Sequence, residues 1–249
     1  MNENKVALIT GASSGIGKQT ALAFIEAGYK VAITARREDL LKEVAGNAKA
    51  ESVLVCQADL TDETSVDQLF EKIKHAYGRL DVVFNNAGNN VAPAPIGDIS
   101  VADWKKVIDV NLTGAFMIAR SSFNLMRAQD PQGGRIINNG SISAHVPRPG
   151  SAPYTSSKHA ITGLTRSISL DGRPYHIACG QIDIGNAASE MTQRMRTGVP
   201  QANGTMEIEP VMDVDNVSTA VLQMAALPLD VNVQFMTIMA TDMPFIGRG

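Results

Sequence analysis

Short apolar runs punctuate the chain at regular intervals, separated by longer segments with helical apolar spacing. KVALI at 5–9, KVAIT at 30–34, SVLVC at 52–56, LDVVF at 80–84, RIINN at 135–139, HIACGQID at 176–183 and VQFMTIM at 233–239 read as strands, most of them buried. Between them the pattern predicts helices over 18–28, 37–49, 62–77, 103–127, 154–170 and 213–226. Gly28 and the pair Tyr77-Gly78 mark helix ends. Asn111 falls inside the 103–127 segment, where an amide is a poor helix former; it implies either a local kink or a task near a site. Strands alternating with helices predict an α/β fold, a doubly wound and mainly parallel seven-stranded sheet with helices on both faces. A ligand then belongs at the carboxyl ends of the strands. Residues 190–210 break the pattern, with mixed polarity and five Met or Pro residues, and a substrate lid is expected over about 186–210 of a single domain spanning 1–249.

What the strands deliver at their carboxyl ends carries the chemistry. The first runs into TGASSGIG, Thr10 to Gly17, and then into a helix. Gly11 permits a tight turn, while Gly15 and Gly17 let a diphosphate approach the backbone and the helix N-terminus. The same letters also make an ordinary turn, but the strand-to-helix setting is the one that phosphate binding requires. The second strand ends at Ala35, Arg36 and Arg37. An acidic residue there would hydrogen-bond the 2′-hydroxyl of NAD; two guanidiniums instead suit the 2′-phosphate of NADP, led by Arg36, unless both are merely solvated. Asp59 and Leu60 follow strand three, where the chain passes an adenine, and strand four runs into Asn85, Asn86, Ala87 and Gly88.

Strand five delivers Ser141, and a helix opening near Pro153 carries Tyr154 and Lys158 one turn apart on the same face. A free tyrosine titrates near ~10, and a neighbouring ammonium lowers that value, making the phenol a usable general acid or base. Taken alone, the pair reads equally as an amphipathic tyrosine beside a solvated lysine. His145, in the loop 142–152, is either exposed or a substrate contact.

Composition narrows the function classes. At 249 residues with a formal charge of −3 and no basic block, nothing favours nucleic acid or an anionic membrane. No apolar run approaches the ~20 residues of a membrane span, and MNENKVALIT lacks a signal-peptide core. Cys56 and Cys179, the two cysteines, read as buried thiols in a reducing, cytoplasmic compartment. No Cys/His cluster has metal-ligand spacing.

TGASSGIG, Asp59-Leu60, the NNAG of 85–88, Asn111, Ser141, Tyr154 and Lys158 stand in an order that resembles the short-chain dehydrogenase/reductases, over nearly the whole chain. The resemblance implies a Rossmann fold and an NAD(P)(H)-dependent oxidoreductase that interconverts a carbonyl and a secondary alcohol; the two arginines after strand two make NADP(H) the preferred cofactor, with NAD(H) possible. It implies Tyr154 as general acid/base, Lys158 tuning it and meeting the nicotinamide ribose, Ser141 on the substrate oxygen, and Asn111 holding a relay water. Gly11, Ser13, Ser14, Ile16 and Gly17 would line the cofactor. Arg36, Arg37, Asp59 and Leu60 would meet its adenosine end, and Asn85, Ala87 and Gly88 its ribose and ring. Relatives have Pro-Gly after strand six and a threonine four residues beyond the Gly; here Ile184-Gly185 and Ser189 occupy those positions. A homotetramer or homodimer, partly through the helices at 103–127 and 154–170, is also implied. Narrower and rival readings are a 3-oxoacyl thioester reductase, using Arg127, Arg166, Arg173, Arg194 and Arg196 toward a phosphorylated carrier, and a cofactor-binding sensor without turnover.

Overall fold

The computed structural model describes residues 5–46, 48 and 51–246. Seven strands form one wholly parallel sheet: β1 (Val6–Thr10), β2 (Lys30–Ala35), β3 (Val53–Gln57), β4 (Val82–Asn85), β5 (Gly134–Asn139), β6 (Ile177–Ile184) and, nearest the C-terminus, the strand Phe235–Ile238. Spatially β3 lies at one edge, followed by β2, β1, β4, β5 and β6, with Phe235–Ile238 at the other edge. The chain therefore winds outward from β1 to β3 and returns to β4, leaving a switch point between β1 and β4. That is the doubly wound Rossmann arrangement, and a crevice opens there at the strand ends.

Alternation along β1 shows how the sheet buries both faces. Ala7 and Ile9 join one apolar cluster with Phe24 of α1 (Gly15–Glu26), Leu41 of α2 (Glu38–Ala45) and Val221 of the helix Val214–Ala226. Val6 and Leu8 join the other, with Leu69 of α3 (Glu63–Tyr77) and Ile118 of the helix Ala115–Ala128. Cys56 and Cys179 are buried free thiols.

The segment predicted as one helix over 103–127 is instead three pieces. α4 (Val101–Ile108) leads into a π-helical turn, Asp109–Gly114, and then α5 (Ala115–Ala128). The cause is the residue that looked out of place. Asn111 turns its side chain onto the main chain of Asn89, donating to the Asn89 carbonyl (2.9 Å) and accepting from its N–H (2.8 Å), and the helix widens to allow it. Other boundaries move by a residue or more: β6 extends through Ile184, and the last strand is confined to Phe235–Ile238. The α2 segment ends at Ala45; residues 47 and 49 of its predicted extent lie outside the described residues, as do the side chains of Met191 and Arg194. Between β6 and α7 (Val214–Ala226), the chain forms a 3-10 turn at Glu190–Arg196 and a small antiparallel hairpin, β7 (Val199–Pro200) with β8 (Met206–Glu207); the edge strand Phe235–Ile238 is then β9. No helix among the described residues is long and apolar enough to cross a membrane.

Candidate active site

A cleft of about 960 Å³ runs across the carboxyl ends of the strands. Its cofactor-sized half begins at the glycine-rich turn. A Cβ at Gly17 would collide with the Gly11 carbonyl, and one at Gly11 would stand 2.9 Å from the Ala87 Cα. The turn, the helix start and the β4 loop are thus pressed together with no room for side chains, and main-chain N–H groups face the cleft at the N-terminus of α1. Gly11, Ser13, Ser14, Ile16 and Gly17 all line it. Arg36 and Arg37 border the same end, and the Arg37 guanidinium reaches back to the hydroxyls of Ser13 (3.2 Å) and Ser14 (3.3 Å). Asp59 and Leu60 form the next stretch of wall. Hydrogen bonds from the Thr61 N–H and hydroxyl hold the Asp59 carboxyl below its ordinary value, with a smaller contribution from Arg36.

Across the switch point the anchoring residue is one position from the expected one. Asn85, expected to flank the adenosine, is the last residue of β4 and points into the fold. Its amide donates to the Ala115 carbonyl (2.8 Å) and to Asn138 Oδ1 (3.2 Å), and it does not line the cleft. Alternation along the strand puts the next side chain on the other side. Asn86 donates to the Thr10 carbonyl (2.9 Å) and accepts from Asn139 Nδ2 (2.8 Å), tying the ends of β1, β4 and β5 together. Thr10 completes the knot: its hydroxyl accepts from the N–H groups of Asn86 (2.8 Å) and Ala87 (2.9 Å). Ala87 and Gly88 line the cleft as expected.

The other half of the cleft gathers Ser141, Tyr154 and Lys158. Pro153 sits in the first turn of α6 (Ala152–Asp171), where its missing N–H costs nothing. One turn apart on that helix, the Lys158 Nζ lies 5.6 Å from the centroid of the Tyr154 ring. Lys158 is only 4% exposed and donates to the Asn139 carbonyl (2.7 Å). Burial pushes its ammonium down to about 8, and the charge of Asp183 partly opposes that fall. Ser141 begins a 3-10 turn, its Oγ accepting from the Ser143 N–H (3.1 Å). Asn111 stands one layer back, held by Asn89 and donating to Ser157 Oγ (3.3 Å), while its neighbours Asn89 and Val110 line the cleft.

Ile184, Gly185 and Ser189 also line the cleft. Ile184 is in register with Ile238, and the Gly185 N–H donates to the Ile238 carbonyl (2.8 Å), so the ladder with the edge strand runs on to Gly185. Ser189 is braced against Thr192, whose hydroxyl accepts from the Ser189 N–H (2.9 Å). In the same stretch Met195 lines the cleft and is 6% exposed, whereas Met206 is 62% exposed on β8.

Two clusters pair residues that the sequence did not bring together. Arg148, which lines the cleft, forms a two-pronged ion pair with Glu209 (2.7 and 2.5 Å), and Glu209 also accepts from Asn186 (2.8 Å) and Gln201 (3.0 Å). Burial alone would raise the Glu209 carboxyl; the hydrogen bonds from Arg148, Gln201 and Asn186, with the Arg148 charge, outweigh it and bring the carboxyl down to about 2. His145 is turned away from the cleft and onto buried Asp183 (2.7 Å). The available signals were a charge among apolar neighbours: Asp183 in the run HIACGQID, and Glu209 beside Ile208 and Pro210.

The short chain dehydrogenase family model matches residues 5–200. The chain is 30% identical over 239 residues to sulfoacetaldehyde reductase 2 of Chromohalobacter salexigens, covering 95% of this chain and 94% of that one. It is 32% identical over 199 residues to a 3beta-hydroxysteroid dehydrogenase of Mediterraneibacter gnavus, covering 77% and 69%. Among solved structures, an alcohol dehydrogenase from the archaeon Thermococcus sibiricus complexed with 5-hydroxy-NADP superposes with a TM-score of 0.81 at 25% identity, over 94% of this chain and 95% of that one. A 3-ketoacyl-(acyl-carrier-protein) reductase from Brucella melitensis complexed with NADH gives 0.86 at 24% identity, over 97% and 99%.

Proposed function

The chain belongs to the short-chain dehydrogenase family of oxidoreductases, and we propose that it interconverts a carbonyl and a secondary alcohol with a nicotinamide cofactor, NADP(H) preferred, using Tyr154 as general acid/base. The observation that carries this reading is a single cleft with the glycine-rich turn at one end and Ser141, Tyr154 and Lys158 at the other. The cradle fits a dinucleotide because it is built from glycine contacts that any Cβ would fill. Gly11, Ser13, Ser14, Ile16 and Gly17 would hold its diphosphate side, Arg36 and Arg37 a 2′-phosphate, and Asp59, Leu60, Ala87 and Gly88 the adenosine. Ile184, Gly185, Ser189, Tyr154 and Lys158 would hold the nicotinamide side. When bound, the cofactor supplies or takes the hydride.

The chain's own residues manage the proton and the substrate oxygen. The Tyr154 hydroxyl gives its proton to the oxygen during reduction and recovers it during oxidation. Ser141 donates to the same oxygen and stabilises the charge that develops there. The Lys158 ammonium, fixed by the Asn139 carbonyl, favours the phenolate side of the tyrosine's equilibrium. Because burial lowers Lys158 to about 8, that charge is present at neutral pH and lost above it. In the reduction direction, kcat/KM of the free protein falls as pH rises through about 8, as a pH-rate profile will show.

The test is turnover of a panel of aldehydes and ketones, followed by nicotinamide absorbance, with NADPH and NADH in parallel and Tyr154→Phe as control. Turnover that falls by about 10²–10⁴-fold in the phenylalanine variant, with cofactor affinity kept, supports the reading. Undiminished turnover in that variant removes Tyr154 as the acid.

A further inference from the structure

We propose that Asp183 and His145 form a positioning dyad for the reduction, setting Ser141 through its main chain and, through Gly140, the Asn139 carbonyl that holds Lys158. This rests on the carbonyl-reductase reading above. Neither residue lines the cleft, so both act through others.

Asp183 is fully buried in β6, where a carboxylate is costly unless its oxygens are satisfied. Oδ1 accepts from the Ser141 N–H (3.1 Å) and from Gln181 Nε2 (2.7 Å), and Oδ2 meets His145 Nε2 (2.7 Å). Its position is fixed from behind. Gln181 accepts from the Thr165 hydroxyl (3.0 Å) and donates to that of Thr162 (3.1 Å), both on α6. Space for the carboxylate comes from Gly140, where a Cβ would collide with Oδ1. Gly140 stands between Asn139, whose carbonyl holds Lys158, and Ser141. The carboxylate is thus wedged against the three-residue stretch Asn139–Ser141 that positions both groups.

The charged or titratable groups facing Asp183, among the described residues, are Lys158 on α6 and His145 on the loop after β5. Gln181 shares its strand, and β9 presents Thr237 in register. One negative charge therefore serves a buried ammonium and orients a serine main chain. His145, with 45% of its side chain exposed, closes the pair at the surface, its ring edge-on to Phe245 near the C-terminus (6.3 Å between centroids).

The experiment compares wild type, His145→Ala, His145→Gln and Asp183→Asn for kcat, KM, NADPH affinity and melting temperature. It also follows the Ser141 amide resonance and the titration of 13Cε-labelled lysine by NMR. His145 is half exposed, so its variants should fold. His145→Ala lowers kcat about 10- to 100-fold, as a displaced reacting group does, while NADPH affinity holds. His145→Gln, whose amide can still donate to Oδ2, recovers most of the loss. Asp183→Asn keeps hydrogen-bonding capacity but removes the charge, so the Lys158 titration and the alkaline limb of kcat/KM both move to lower pH.

An unchanged kcat in His145→Ala, or a loss that follows melting temperature and is not recovered by glutamine, overturns the proposal. If wild type turns over no carbonyl, the functional reading fails by itself. The dyad is then judged on the resonances: a Ser141 amide indifferent to His145→Ala overturns it, and a shifted amide that glutamine restores sustains it.

Discussion

From the glycine-rich turn to the hairpin at 199–207, the bonds that fix the cleft walls change in kind. At the first end the wall is backbone against backbone, with Gly17 against the Gly11 carbonyl, Gly11 against Ala87, and Thr10 and Asn86 stitching strand ends across the switch point. At the other end it is side chain against side chain. Arg148 from the loop after β5, Asn186 from the loop after β6, and Gln201 and Glu209 from the hairpin region meet at one buried carboxylate. The difference teaches how each half can evolve. A backbone cradle accepts any ligand with the same diphosphate core and tolerates few substitutions. A side-chain clasp can be exchanged with its loops, which suits the half of a cleft that sets substrate choice.

The largest expected effect comes from cutting the clasp. Glu209→Gln leaves the Arg148 guanidinium, in a side chain only 13% exposed, without its counter-charge. Breaking a buried pair this way costs about 3–5 kcal/mol, read as a lower urea midpoint. Arg148→Met with Glu209→Leu together should recover most of it, because an apolar pair of similar volume needs no partner. If the two ends are as separate as their bonding suggests, Glu209→Gln raises the substrate KM and leaves NADPH affinity alone; equal losses in both would merge the halves.

Acid probes the same clasp without mutation. The folded-state value of Glu209, about 2, lies below that of an unfolded glutamate. Its contribution is therefore whole above the unfolded value of ~4.3 and is lost as pH falls from there through about 2. The loss is on the order of 3 kcal/mol, and it should be absent in Glu209→Gln when the two are unfolded in parallel across that range.

The same contrast explains what the residues disclosed in advance. The parallel sheet was legible because each strand is a short apolar run, and the cradle because its function is written in adjacent small residues. The clasp was not, because Arg148 and Glu209 stand 61 positions apart and nothing in the sequence pairs them. Asn85 and Asn86 show a finer limit. Neighbouring amides at a strand end differ only in parity, and parity depends on where the strand stops. Asn111 reads as a misfit in a helix interior, and it sits in a π-helical turn. Asp183 carries the same kind of signal, a charge inside a buried strand.

At the cradle, Gly17→Ala is the matching cut. Helix and turn cannot both keep their places around a methyl group that meets the Gly11 carbonyl. Overpacking of this kind costs about 1–3 kcal/mol. NADPH and NADH affinity should fall together, by isothermal titration, with little change in the Arg148–Glu209 clasp as read by the acid transition.

An effect of similar size divides the cradle itself. Arg36 and Arg37 both border the adenosine end, but they are differently employed. Arg37 is tethered to the hydroxyls of Ser13 and Ser14, at the turn that every dinucleotide of this class would touch. Arg36 has no such tether to the turn; its carbonyl accepts from Gln57 Nε2 (2.9 Å), and its charge acts on Asp59. A charge-assisted contact to a 2′-phosphate is worth about 1.5–3 kcal/mol, or roughly 10- to 150-fold in affinity. Arg36→Ala should therefore weaken NADPH binding by that factor and leave NADH nearly unchanged. Arg37→Ala should weaken both by a few fold, because it loosens the serine hydroxyls that the two cofactors share. Reversed outcomes would make Arg37 the reader of the phosphate, and equal losses in both variants would leave the preference to neither.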